Sequence, residues 1–170
     1  MNENLENKID FKQSLISFYR KNKFKLIFFF IIVLLAIIGI FLMNISKEKK
    51  NLLISEKYIK AGVYLSLNDN DQSLKIFREI IMSKNNFYSP LSLYTIIEKN
   101  LETNPNEILK YFDIIENLKI EEEQKELILL KKALYLINID KKKEAISILQ
   151  KLTKTQSNYK ELANEILKFK

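Results

Sequence analysis

Eighteen consecutive residues, Leu26 to Met43 (LIFFFIIVLLAIIGIFLM), carry no charged or polar side chain. At about 1.5 Å of rise per residue they make a helix of roughly 27 Å, close to the hydrocarbon thickness of a bilayer. A core helix of a 170-residue chain would keep a polar face toward water, and this run has none. A cleavable signal peptide has a shorter apolar stretch, roughly 7–15 residues, followed by a small-x-small site. Here the run continues into Asn44-Ile45-Ser46-Lys47. The sequence therefore predicts an uncleaved transmembrane anchor over residues 26–45. A tail, residues 1–25, precedes it and a larger domain, residues 46–170, follows.

The flanks give the anchor a direction. Arg20, Lys21, Lys23 and Lys25 stand before it, and Lys47, Lys49 and Lys50 after it, with Glu48 among them. Basic residues are retained on the cytoplasmic side, so this bias predicts a cytoplasmic N-terminus. Ile9, Leu15, Ile16, Phe18 and Tyr19 form a loosely amphipathic stretch just before the span. It suits either the surface of an anionic leaflet or an ordinary short tail.

Composition removes most chemistry. Cysteine and histidine are absent, which excludes disulfides, thiol nucleophiles, histidine-based triads and histidine-ligated metals. Gly39 and Gly62 are the only glycines, too few for a phosphate-cradling loop. The net charge is +7, but residues 45–170 hold 22 basic against 18 acidic residues, and the chain has two arginines, Arg20 and Arg78. The Lys141-Lys142-Lys143 run lies between Asp140 and Glu144, so no concentrated basic face for nucleic acid is expected. Glu121-Glu122-Glu123 reads as the acidic opening turn of a helix. No enzyme activity, cofactor, metal or small-molecule substrate is expected.

After the anchor, apolar residues recur at i, i+3 and i+4 in seven stripes, beginning with Ile54, Tyr58, Ala61, Tyr64 and Leu65 and ending with Leu162, Ile166 and Phe169. Breaks fall at Asn68-Asp69-Asn70-Asp71, Asn85-Asn86, Thr103-Asn104-Pro105 and Thr153-Lys154-Thr155-Gln156-Ser157. Asp71, Ser89 and Asn104 are the expected N-caps, with Pro90 and Pro105 in first turns.

The segment Ala61–Ile80 returns as Ala133–Leu152, shifted by 72. Ala61 aligns with Ala133, Tyr64 with Leu136, Ser73 with Ala145, Phe77 with Leu149 and Ile80 with Leu152. Helix pairs need small residues where they cross closely, and Ala61/Ser73 and Ala133/Ala145 provide them. Two units of about 36 residues approach the tetratricopeptide period of 34. The middle unit, roughly Pro90 to Leu118, is divergent: Ile108 stands where a small residue belongs. The expected fold class is all-α, a single transmembrane helix followed by a tetratricopeptide-like α-solenoid. It has about three helix pairs and a capping helix over residues 158–169.

A basic N-terminus, one span (Leu26–Met43) and degenerate helical units around Ala61–Ile80 and Ala133–Leu152 together resemble the single-span ancillary subunit of the bacterial SecYEG translocon. The resemblance covers nearly the whole chain, through architecture rather than an invariant motif, and the divergent middle unit departs from it. It implies a non-enzymatic adaptor in the bacterial inner membrane, with its helical domain in the periplasm. The implied partners are the Sec translocon, periplasmic chaperones and secretory clients.

In such a stack the first helices of each pair line a concave face. Projection from Ala61 puts Tyr58, Gly62 and Leu65 there; projection from Ala133 puts Leu130, Leu134 and Ile137 there; Leu93 and Ile97 come from the middle. This apolar groove suits an amphipathic helix or an extended segment, unless the C-terminal helix fills it. The alternatives are a scaffold of another envelope complex, for division or outer-membrane assembly, and an assembly protein whose span self-associates. Gly39 without a small-x-x-x-small pattern gives the last little support.

Overall fold

The computed structural model describes the backbone of residues 3–154 and 157–168, and side chains from residue 17 onward except Leu26. The side chains of Ile9, Leu15 and Ile16, the Thr155-Gln156 part of the last break, and Phe169 lie outside that description. Among the described residues the fold is all-α, with seven helices and no strand. They are α1 (Glu3–Ser66), α2 (Asn70–Met82), α3 (Tyr88–Glu98), α4 (Pro105–Glu116), α5 (Glu122–Asn138), α6 (Lys142–Lys154) and α7 (Lys160–Lys168).

The chain divides into two compact units, Met1–Lys50 and Asn51–Lys170. Helix α1 runs unbroken across this boundary. The first unit carries the apolar part of α1. This N-terminal helix is long and apolar enough to span a membrane, and none of its most apolar window is buried within the protein. A soluble core helix would be buried, and this window is not.

The second unit begins with the last turns of α1, where Ile54 and Ala61 enter a core shared with α2, α3, α4 and Ile128 of α5. A second core follows, made by Leu130, Ala133 and Leu136 of α5 with α6 and Ala163 of α7. Helix α5 faces both cores, which explains apolar residues around much of its circumference.

The 72-residue repeat is visible in the backbone. Helix α1 ends at Ser66 and α5 at Asn138; α2 starts at Asn70 and α6 at Lys142; α3 starts at Tyr88 and α7 at Lys160. Asn68 and Asp140 both adopt left-handed φ, 60° and 61°. Each is followed by the same closing bond, Asp69 N–H to Tyr64 C=O at 2.9 Å and Lys141 N–H to Leu136 C=O at 2.8 Å. These are Schellman-type closures that satisfy carbonyls orphaned at the helix end. The next turn repeats as well: Asn85 Oδ1 accepts from Phe87 N–H and Ser157 Oγ accepts from Tyr159 N–H. Ala61, Ser73, Ala133 and Ala145 are fully buried, and Ser73 Oγ donates to Ala61 C=O across the first helix pair at 3.0 Å. The hydroxyl shows how close that crossing is, and its alanine counterpart closes the second without a bond.

The middle unit differs by an insertion. Asn100 is left-handed (φ 49°) and Leu101 N–H closes on Ile96 C=O, as in the other units. Where Asp69 and Lys141 immediately follow and the next helix starts, Leu101-Glu102-Thr103 intervene before the cap Asn104, which accepts from Asn106 N–H. Glu102 anchors the extra residues, with one carboxylate oxygen accepting from Asn104 N–H and the other paired with Arg78 of α2.

Two expected caps move. Helix α2 is capped by Asp69, whose side chain accepts from Gln72 N–H, and not by Asp71, which lies inside the first turn. Helix α3 is opened by Asn85, which accepts from Phe87 and Tyr88 N–H. Ser89 is instead buried against α2, its hydroxyl donating to Ile80 C=O.

Candidate functional site

The faces of α3 and α5 that look toward each other are laid down at helical spacing. On α3 and the residue before it they are Phe87, Pro90, Leu91, Tyr94, Ile97 and Glu98; on α5 they are Gln124, Leu127, Lys131, Leu134, Tyr135 and Asn138. Between them lie two depressions that share Tyr94, of about 380 Å³ toward Asn138 and about 220 Å³ toward Phe87. Together they form one open groove following α5 from Gln124 to Asn138, about 21 Å at the helical rise. Aliphatic and aromatic side chains line most of it, with amides at both ends.

Lys131 reaches across the groove and places its ammonium 4.4 Å from the centre of the Tyr94 ring. Cation–π attraction of this kind holds a long side chain in one direction without neutralising it. Burial, with Tyr159 nearby, pushes the Tyr94 phenol up to about 12, so it stays a neutral donor. The adjacent Lys132 behaves differently. Its amine bonds Asp113 at 2.8 Å and Glu116 at 2.7 Å, clasping α5 to α4. Burial alone would lower the Lys132 pKa, but the two carboxylates outweigh it and the net shift is upward.

The residues projected from Ala61 and Ala133 divide. Ile97 and Leu134 line the groove together. Leu93 (0% exposed) and Leu130 (3%) are corrected to core residues, because they stand on the side of their helices that faces α2 and α6. Tyr58 is corrected as well. It packs against Phe77 and Tyr88, with ring centroids 5.6 and 5.5 Å away, and its hydroxyl lies 3.3 Å from Thr95 Oγ1. Since Thr95 donates its own proton to Leu91 C=O, Tyr58 is the donor, and its role is to join α1 to α3. Ile137 is half-buried against the second core, Leu65 is half-buried on α1, and Gly62 is exposed with open space where a Cβ would stand. The projection missed Tyr94, Lys131, Tyr135 and the Phe87 end.

Among the described residues, none of the C-terminal helix enters the groove. Helix α7 contributes to neither depression and packs on α6 through Ala163. Among the described residues no cluster of three or more acidic side chains is placed to hold a metal ion. No family model matches the chain, and no curated protein or solved structure matches it either.

Proposed function

We propose that this chain is a membrane-anchored adaptor that works by holding a protein partner, without chemistry of its own, in the groove between α3 and α5. The observation that carries this reading is the groove itself: an open, mainly apolar cleft on an all-helical domain that follows an apolar anchor. Concave apolar surfaces of this shape bury side chains of a partner helix or strand.

The helix pairs, α1 with α2, α3 with α4 and α5 with α6, are read as degenerate tetratricopeptide-like units closed by α7. The 72-residue recurrence of caps and small crossing residues supports that reading. In the more specific form, the domain lies in the bacterial periplasm and the partners belong to protein export: the Sec translocon, periplasmic chaperones or clients. This form rests on the resemblance in architecture. A scaffold for a division or outer-membrane assembly complex is the alternative.

The test is photocrosslinking in living cells, with the photoreactive residue at Leu134 in the groove and, as control, at Gln150 on the exposed surface of α6. The adaptor reading requires discrete crosslinked proteins from Leu134 that are absent from Gln150. Translocon subunits or periplasmic chaperones among them favour the export form, and division or outer-membrane assembly components favour the alternative. Equal, featureless labelling from both positions sinks the groove as a partner site.

A further inference from the structure

The groove carries one cation set between two apolar hollows. Leu127 lines the smaller hollow, Leu134 the larger, and Lys131 lies between them along α5. Lys132, next in sequence, has two carboxylates, whereas Lys131 has no carboxylate within 4 Å among the described residues. Its ammonium rests on the Tyr94 ring and remains open to a partner charge. Glu98 lines the same hollow from its exposed rim, with one carboxylate oxygen paired with Lys99 at 3.1 Å and no ion pair to Lys131.

We propose that the occupant of this groove is an amphipathic helix of a partner protein, with an acidic residue on its apolar face that pairs with Lys131. The spacing suits a helix. Leu127, Lys131 and Leu134 stand at i, i+4 and i+7, and a helix laid along α5 has the same rise, so it meets them with its own residues in the same spacing. Two bulky apolar residues seven apart fill the hollows, and Asp or Glu three or four residues from each reaches the ammonium. The groove length of about 21 Å corresponds to about 14 residues of such a helix. A partner with Lys or Arg at the central position meets like charge at a half-buried site, which selects against it. This proposal rests on the groove being the partner site.

The experiment uses the full-length protein in nanodiscs and a phage-displayed library of amphipathic helical peptides about 14 residues long. The library is selected on the wild type, on Lys131→Glu and on Leu134→Arg, each checked for helicity and melting temperature. Expected is enrichment of Asp or Glu between two bulky apolar residues on the wild type. A selected peptide then binds about tenfold more weakly when its acid is changed to Lys. On Lys131→Glu the preference reverses to Lys or Arg. Peptides that depend on Leu134 but show no acidic preference, or the same preference on Lys131→Glu, overturn the charge pairing and leave the groove standing. Peptides indifferent to Leu134→Arg, or no selectable peptide, overturn both.

Discussion

Two residues of the second unit make separable predictions. Gly62 sits inside α1 with open space around a built Cβ and no left-handed φ. Nothing in the fold uses its freedom, so it only weakens the helix. Gly62→Ala is expected to stabilise the domain by about 0.5–1 kcal/mol, read from the melting temperature. A loss of stability would mean that another surface closes on that face. Glu102 is the second case. Burial alone would raise its pKa, but the Asn104 N–H and the Arg78 guanidinium outweigh burial and hold the carboxyl below its ordinary value of 4.5. A carboxylate lowered on folding adds stability that is complete above its unfolded value and is lost as the pH falls through the lowered one. Unfolding measured from pH 7 down to acid should therefore show a fall below about pH 4.5 that is shallower in Glu102→Gln. At neutral pH that variant should be less stable by roughly 1.5–3 kcal/mol, the range for bonds to charged groups. Parallel pH curves for the two proteins would remove the ion pair from the account of the α3–α4 connection.

Close helix crossings were legible in the sequence where small residues mark them. Ala61/Ser73 and Ala133/Ala145 are all fully buried, and the turns around Asn68 and Asp140 close alike. The groove was half legible, for a geometric reason. Ala133 faces α6, so its i±3 and i±4 neighbours Leu130 and Ile137 turn toward the core; the open face of α5 centres on Lys131, Leu134 and Asn138, well round the helix. Projection from a crossing residue therefore finds the packed side and catches only the edge of the open one. The three-residue insertion around Glu102 was not legible, because its consequence depends on Arg78 arriving from another helix. Ile108, at the small position of the divergent unit, is 3% exposed and filled by the first core. Restoring the repeat there should harm the fold: Ile108→Ala is expected to cost about 2–5 kcal/mol through the cavity it leaves. Ala133→Leu, the opposite change at a tight crossing, is expected to cost about 1–3 kcal/mol by overpacking. Denaturant melts of both variants check this, and a neutral Ile108→Ala would show that the middle pair is loosely packed.

On the scale of the whole chain, the proposed function turns on which side of a membrane the second unit would occupy. The four basic residues before the span, Arg20, Lys21, Lys23 and Lys25, exceed the three after it, Lys47, Lys49 and Lys50, and Glu48 dilutes the latter group. Only charges near the span and in short segments steer insertion, and a folded domain of this size translocates largely regardless of its own charge. The margin is thus narrow enough to be moved. A tag at the C-terminus is expected to be digested by protease added to intact spheroplasts, and a protected population should appear once Arg20, Lys21, Lys23 and Lys25 are all changed to Gln. Changing Lys47, Lys49 and Lys50 to Gln should leave digestion complete. If the unaltered protein is protected, the groove faces the cytoplasm, the export form of the proposal fails, and the helix that Lys131 selects must be sought among cytoplasmic partners.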